Sequence, residues 1–430
     1  MTFIADTIFA LSSGLPPAGI AVVRISGPGA RIALEGLAGR LPAPRRASFR
    51  RLTDSSGDVL DHGIVLWFPG PETATGEDLA ELHLHGGRAV VAGVLDALRQ
   101  VPGLRGAEAG EFTRRAFENG RIDLSEAEGL SDLLAAETAS QRRSALRMAG
   151  GGVARLVEKW QAAILAIAAR IEAELDFSDE GDVERADHSD MWKSDLEPLV
   201  AEMDDRLSRP TVERLRDGIR VVLAGPPNSG KSSLINRISG RDVAIVSEIP
   251  GTTRDLVEAP VSLAGIPFIL TDTAGLRDSE DYVEILGIER AERSLESADI
   301  ILWLGAADEA PERERVIKVG AKADLRAAPV QGYDVQVSAL TGQGLDQLVD
   351  RIVGNARSLL PDSNEAAINA RHRQHLYAVR QQLAAAYNTE DLLVAAEHLR
   401  LARRELDRIT GRAGIEEMLD ALFGAFCIGK

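Results

Sequence analysis

The chain has 430 residues, 45% of them hydrophobic and 27% charged, and its 49 basic against 66 acidic side chains give a net charge of −17. That length predicts about three domains, and the composition excludes disorder, collagen and coiled-coil rods. No apolar run approaches the roughly 18 residues of a membrane span, Asp6 interrupts the N-terminal apolar residues where a signal peptide would be apolar, and the single Cys427 cannot form an internal disulfide. A cytoplasmic protein with no membrane partner is expected. The acidic balance argues against a whole surface built for nucleic-acid phosphates, but 14 acidic and only 2 basic residues between Glu172 and Asp205 supply most of it, which leaves room for a basic site elsewhere.

Up to about Gly120, Ile20–Ser26, His62–Pro69 and Asp78–Gly86 read as strands among Pro- and Gly-rich turns, which predicts a compact α+β domain over residues 1–120. From Ile122 the period changes. Leu156, Trp160, Ile164, Ile167, Ile171 and Leu175 recur at three- and four-residue steps and line one face of a long helix in a helical segment, 121–214. The acidic stretch Ser178–Asp190 has no apolar period and reads as an exposed loop. Within 215–357, Ile219–Ala224, Val257–Leu263, Ile266–Leu270, Ile300–Leu304 and Val316–Val319 alternate with helical patterns, the mark of a doubly wound, mostly parallel sheet covered by helices. The remainder, 358–430, returns to helical spacing through Leu376, Val379, Leu383, Leu392, Ala396, Leu399, Leu406 and Ile409. Neither amphipathic set can bury its apolar face alone, so the two helical segments are expected to pack together with the α/β domain inserted between them. The fold class is thus multidomain, α/β and all-α.

Gly225–Ser232 reads GPPNSGKS directly after a strand, the phosphate-loop pattern in its required context. Its glycines let successive backbone N–H groups converge on phosphate oxygens while the following helix adds its positive end. Asn228, Ser229, Gly230, Lys231, Ser232 and Ser233 are the candidate phosphate-site residues. Lys231 would reach the outer phosphates, and the Ser232 hydroxyl would bind magnesium. Asp272-Thr273-Ala274-Gly275, 41 residues after Lys231, would supply a second magnesium-facing carboxylate and a glycine that senses the γ-phosphate. Gly251–Asp255 reads GTTRD, a loop whose threonine can close the metal shell only while that phosphate is present.

This ordered set resembles a Ras-like GTPase domain of the translation-factor-related class. In that class Asn-Lys-x-Asp selects guanine; here Ala321-Lys322-Ala323-Asp324 holds the position. Asp324 is expected to keep the preference for guanine, while Ala321 forfeits a polar partner worth about 0.5–1.5 kcal/mol and weakens affinity. Ser338-Ala339-Leu340 resembles the loop that supports the base from behind.

Further residues resemble the MnmE (TrmE) family of tRNA-modification GTPases over essentially the whole chain. They are the Cys427-Ile428-Gly429-Lys430 ending, Thr75–Asp78 with His85-Gly86-Gly87, Gly110-Glu111-Phe112 with Ala116-Phe117, and Asp272–Arg277 followed by Val283-Glu284 and Gly287–Arg290. The resemblance implies an N-terminal tetrahydrofolate-binding-like domain that forms a homodimer, a central helical domain and an inserted GTPase domain. It implies a potassium ion held by the Asn228 side chain with Ser247, Ile249 and Thr252, Thr253 joining Ser232 on magnesium, and Glu284 as the catalytic residue that orients water. A one-carbon donor, 5,10-methylene-tetrahydrofolate or its 5-formyl analogue, would lie by Arg24, Glu81, Arg121 and Lys430; the family's lysine is replaced by Arg121. The implied partners are an FAD-containing MnmG-type protein, in a heterotetramer or larger complex, and tRNA, whose wobble uridine would gain an aminomethyl-type group.

Without the resemblance, Glu284 reads as an exposed helix charge and the folate set as solvated surface charges. Cys427 reads as a small buried hydrophobe rather than a nucleophile. The clusters Arg45-Arg46 with Arg50-Arg51, Arg142-Arg143, and Arg400 with Arg403-Arg404 read as solvated faces. The rival functions are a regulatory or ribosome-assembly GTPase, a folate-dependent methyl carrier with a structural GTPase domain, and a degenerate scaffold.

Overall fold

The computed structural model describes residues 6–178, 191–240, 258–272, 293–362, 365–413 and 416–430. The chain forms two compact units, Met1–Ser131 with Asp407–Lys430, and Asp132–Leu406.

The first unit is built on a six-stranded sheet of β1 (Thr7–Leu11), β2 (Ala18–Ser26), β3 (Ser48–Thr53), β4 (Val59–Phe68), β5 (Leu79–Gly86) and β6 (Leu104–Gly106), ordered β3-β4-β5-β2-β1-β6. All neighbours are antiparallel except β1 and β6. The period-2 alternation of β5 shows why the sheet has two unlike faces. Ala80, Leu82 and Leu84 join Val23, Ile25, Val65 and Trp67 in the core under α1 (Ala30–Ala38) and α2 (Arg88–Arg99). Glu81, His83 and His85 point the other way, in register with Arg24, Val22 and Ile20. Each large side chain buried beneath the helices contributes about 1.5–3 kcal/mol. Three strands, β1, β3 and β6, and both covering helices escaped the sequence reading, since none shows a long enough period.

After α3 (Glu111–Glu118) and α4 (Leu124–Ala135), the chain returns to this unit at its other end. In α13 (Glu416–Gly424), Leu419 and Phe423 pack with Phe426 against Leu124 and Ala127. The last residues then run beside β1: Gly429 lies so close to the Leu11 carbonyl oxygen that a Cβ there has no room.

In the second unit, α5 (Ala139–Ala149), α6 (Gly152–Ser178), α7 (Met191–Ser208) and α8 (Glu213–Asp217) precede the α/β domain. Val153, Val157, Trp160, Ile164, Ile167 and Ile171 form the buried stripe of α6, with Leu156 only half-buried. Ser178 is the last residue of α6 rather than part of a loop, because the helix runs on past Leu175, the last position of the expected stripe; 179–190 lie outside the described residues. The second helical segment supplies α11 (Ala370–Tyr387) and α12 (Leu392–Thr410). Packing of α11 on α7 is fixed by Arg380 with Asp204 at 3.0 Å and by Arg373 donating to the Leu207 carbonyl at 2.8 Å.

Between them lies the sheet β12-β11-β10-β7-β9-β8, formed by β7 (Ile219–Ala224), β8 (Glu258–Leu263), β9 (Ile266–Asp272), β10 (Ile300–Trp303), β11 (Val316–Gly320) and β12 (Val335–Gln336). Every pairing is parallel except that of β8 with β9. Helices α9 (Lys231–Ser239) and α10 (Leu345–Arg357) share one core with Val221, Leu223, Leu270 and Leu302. Two links depart from the expected helical cover. Residues 304–315 and 321–334 carry only 3₁₀ turns at Ala307–Glu309 and Ala323–Leu325. Proline at Pro311 and Pro329 and the short spans leave no room for a helix. Trp303 folds onto Gly305 and donates from Nε1 to the Ala306 carbonyl at 2.8 Å.

The β8–β9 hairpin closes through Ala264-Gly265, both with positive φ (51° and 77°), the backbone a two-residue hairpin turn requires. Its Gly265 carbonyl accepts from the Ser140 backbone N–H, in the first turn of α5, at 3.1 Å.

Candidate functional site

The phosphate loop bends where only glycine fits. Gly225 has φ of 144°, and a Cβ on it would stand 3.0 Å from the Gly305 nitrogen and the Leu304 carbonyl carbon at the end of β10. Asn228 takes the left-handed conformation at φ 59°. Lys231 opens α9 at only 4% exposure, its ammonium donating to the Gly225 and Pro226 carbonyls at 3.1 and 3.0 Å. A buried ammonium must be paired, and here the loop itself curls around it. Lys231 is also the first residue of α9, so the positive end of the helix dipole and the ammonium both favour an anion here.

Ser232 donates to Asp272 Oδ2 in a short hydrogen bond, and Asp272, at the end of β9, is 2% exposed. A hydroxyl and a carboxylate oxygen brought together beside a phosphate loop are hard donors that suit magnesium. Ser229 Oγ is buried and has no hydrogen-bond partner among the described residues. Ser233 is exposed one residue further along α9. Ser247, Ile249, Thr252, Thr253, Thr273, Ala274, Gly275 and Glu284 lie outside the described residues.

At the base end, Lys322 has φ of 57° and its ammonium donates to the Asn228 carbonyl at 2.8 Å, which ties this loop to the phosphate loop. Asp324 is exposed beside it. Ser338 is fully buried, and its hydroxyl accepts from the Thr341 N–H at 3.1 Å, holding a turn in which Ala339 is half-buried and Leu340 is 81% exposed. Ala321 packs on the sheet core, and its Cβ lies 3.9 Å from where a Cβ on Gly230 would stand. An asparagine side chain there would reach the loop backbone; alanine leaves that contact unmade.

In the first unit, Arg24 on β2 donates to Glu81 Oε1 on β5 through Nη2 at 2.9 Å and Nε at 3.2 Å, and its guanidinium stands 5.9 Å from the Phe112 ring centroid. His83 Nε2 is 3.2 Å from the other Glu81 oxygen. Burial pushes the Glu81 carboxyl up, but the hydrogen bonds and charge of Arg24 and His83 outweigh it and hold the group below the ordinary glutamate range. An ionised carboxylate beside a half-exposed guanidinium suits a ligand carrying both N–H donors and carboxylates, as folates do. Arg121 and Lys430 make no direct bond to this pair among the described residues. Arg121 pairs with Glu72 at 3.5 Å, near Gly76, and Lys430 follows Gly429 along β1, where the neighbouring Ala10 pairs with Arg24.

Sequence reasoning missed the group beneath this face. Arg115, 9% exposed, donates to Asp6 at 2.6 Å, Glu111 at 3.0 Å and Glu77 at 3.2 Å, and Glu77 also accepts from Ser26 at 2.7 Å. Thr75–Asp78 and Gly110–Phe112 are thereby joined through one arginine; Glu111 is a local i,i+4 partner, but Asp6 and Glu77 are too distant along the chain for any local pattern to show. Cys427 is exposed, which corrects the expectation of a buried hydrophobe: Phe426 takes the apolar place on the core side, and the cysteine turns outward. Arg400 pairs with Glu397 at 2.7 Å as a solvated helix charge.

Among the described residues, no helix is long and apolar enough to cross a membrane. A family model described as the GTP-binding protein TrmE N-terminus matches residues 7–121, and one described as the MnmE helical domain matches residues 124–427. The chain is 57% identical over 430 residues to a tRNA modification GTPase MnmE of Rhizorhabdus wittichii, covering 99% of this chain and 97% of that protein. It is 55% identical over 419 residues to the protein of that name from Sphingopyxis alaskensis, with 95% and 100% covered. Against that from Zymomonas mobilis it is 52% identical over 432 residues, with 99% and 100% covered. The chain therefore belongs to the MnmE family of tRNA modification GTPases.

Proposed function

We propose that this protein hydrolyses GTP as one half of a cytoplasmic homodimer and, with an FAD-containing MnmG-type partner, adds an aminomethyl-type group to carbon 5 of the wobble uridine of tRNA. The observation that carries the hydrolytic part is the meeting of buried Lys231, Ser232 and buried Asp272 at the N-terminus of α9. Lys231 binds the outer phosphates, and Ser232 and Asp272 hold magnesium, which when bound neutralises phosphate charge. Lys322 and Asp324 take the guanine. Glu284 would orient the attacking water. Asn228, with Ser247, Ile249 and Thr252, holds the potassium ion that replaces an arginine finger, and Thr253 completes the magnesium shell.

Arg24 and Glu81 anchor the tetrahydrofolate donor, with Arg121 and Lys430 reaching its carboxylates. The functional division is then 1–120 for folate binding and dimerisation, 121–214 and 358–430 for the helical body, and 215–357 for GTP.

Mass spectrometry of tRNA nucleosides from cells with and without the gene tests the whole assignment. Loss of the modified wobble uridine is expected, and an unchanged profile would sink it. GTP turnover faster in potassium than in sodium supports the ion's role; equal rates reject it.

A further inference from the structure

A cavity of about 590 Å³ opens in the second unit, away from the nucleotide loop, between α5, the turn of the β8–β9 hairpin and the end of α10. Its polar side is cationic. Arg143 and Arg147 stand one turn apart on α5 and Arg357 enters from α10. Arg143 bonds only the Ser140 hydroxyl, at 3.0 Å, and neither Arg147 nor Arg357 makes a side-chain hydrogen bond or ion pair among the described residues.

The acids on the wall do not answer them. Glu365 is taken by Arg206 at 2.6 Å and by Arg209, and Asp362 is engaged in a contact of its own. Three guanidinium groups line the cavity without bonding either of its two carboxylates, and like charges one helical turn apart are unfavourable even at a surface. The remaining wall is apolar, formed by Leu215, Ile266, Val353 and Leu360.

We propose that this cavity is a binding site for a small organic anion with an apolar body and a phosphate-type head, the head held by Arg143, Arg147 and Arg357 and the body laid on the apolar wall. The volume lies within the range of small-ligand pockets. A ligand there ties α5 to α10 beside the hydrogen bond from Ser140 to Gly265. The site is independent of the GTPase reading.

Titration calorimetry of the full chain saturated with GDP and magnesium, using phenyl phosphate and inorganic phosphate as probes, tests it. Phenyl phosphate is expected to bind at least about tenfold more tightly than inorganic phosphate, and the double variant Arg147→Ser, Arg357→Ser to lose at least about tenfold of that affinity. Absence of binding at about 10 mM phenyl phosphate, or equal affinity in the variant, would overturn the proposal. Thermal melting without probe supplies a second check. Relief of repulsion leaves the variant at least as stable as the parent, whereas a marked fall would make the arginines structural and reject the site. Transfer RNA binding that disappears in the variant, with no phenyl phosphate binding in the parent, would reassign this face to an RNA backbone.

Discussion

At residues 225–232 most of the groups facing a phosphate belong to the backbone, and one short stretch fixes them all. On the open face of the first unit the binding groups are side chains, Arg24 and Glu81, 57 residues apart and joined only because β2 and β5 pair in one register. A backbone site tolerates much change around a few glycines and one lysine. A cross-strand site depends on the pairing of the whole sheet, since a slip of one residue turns its side chains to the opposite face.

The sharpest way to break this contrast is Lys231→Ala. The backbone cradle survives, yet the one side chain that charges it is gone, so GTP hydrolysis is expected to fall by about 10²–10³-fold with the circular-dichroism spectrum unchanged. A loss below tenfold would mean that the backbone alone suffices. Arg24→Ala removes a charge-assisted pair from the side-chain site, and affinity for 5-formyl-tetrahydrofolate, measured by calorimetry, is expected to drop about tenfold with GTP turnover of the isolated protein unaffected. Ala321→Asn restores a polar group beside the phosphate loop and is expected to tighten GTP about two- to tenfold, corresponding to about 0.5–1.5 kcal/mol. Unchanged affinity would show that the loop has no use for that partner.

The smallest effect concerns acid. Because Glu81 is held below its ordinary pKa when folded, the stability it contributes is fully present above the ordinary glutamate range and is lost as pH falls through the lowered value. Asp6 and Glu111 shift in the same direction against the burial that would raise them, through Arg105 and Arg115. Glu81→Gln should therefore flatten only part of the acid loss in a melting series. An acid profile identical to the parent's would show that the Arg24 pair contributes nothing to the fold.

How legible each part was follows from the range of the interactions that make it. The stripe from Trp160 to Ile171 is a local period, and α6 carries it. Lys231 and Ser232 were legible because a strand, a turn and a helix follow one another directly, and Asp272 because DTAG closes an apolar strand. The cover of the second sheet was not: alternation predicted helices where 304–315 and 321–334 form loops, since strand signals alone do not say what crosses between them. Nor was Arg115, whose three carboxylates come from positions 6, 77 and 111. The Ala321 departure was plain in the sequence, but its place beside Gly230 needed the fold.

The hairpin of β8 and β9 is a stiff beam with its two ends in different company. Its ladder runs unbroken from Glu258 and Thr271 to Leu263 and Ile266. One end is continuous with the GTTRD and DTAG segments, and the other rests on the first turn of α5. The hairpin thus makes a hydrogen-bonded connection from the nucleotide end of the sheet to the helical body, which it meets at the Gly265 carbonyl.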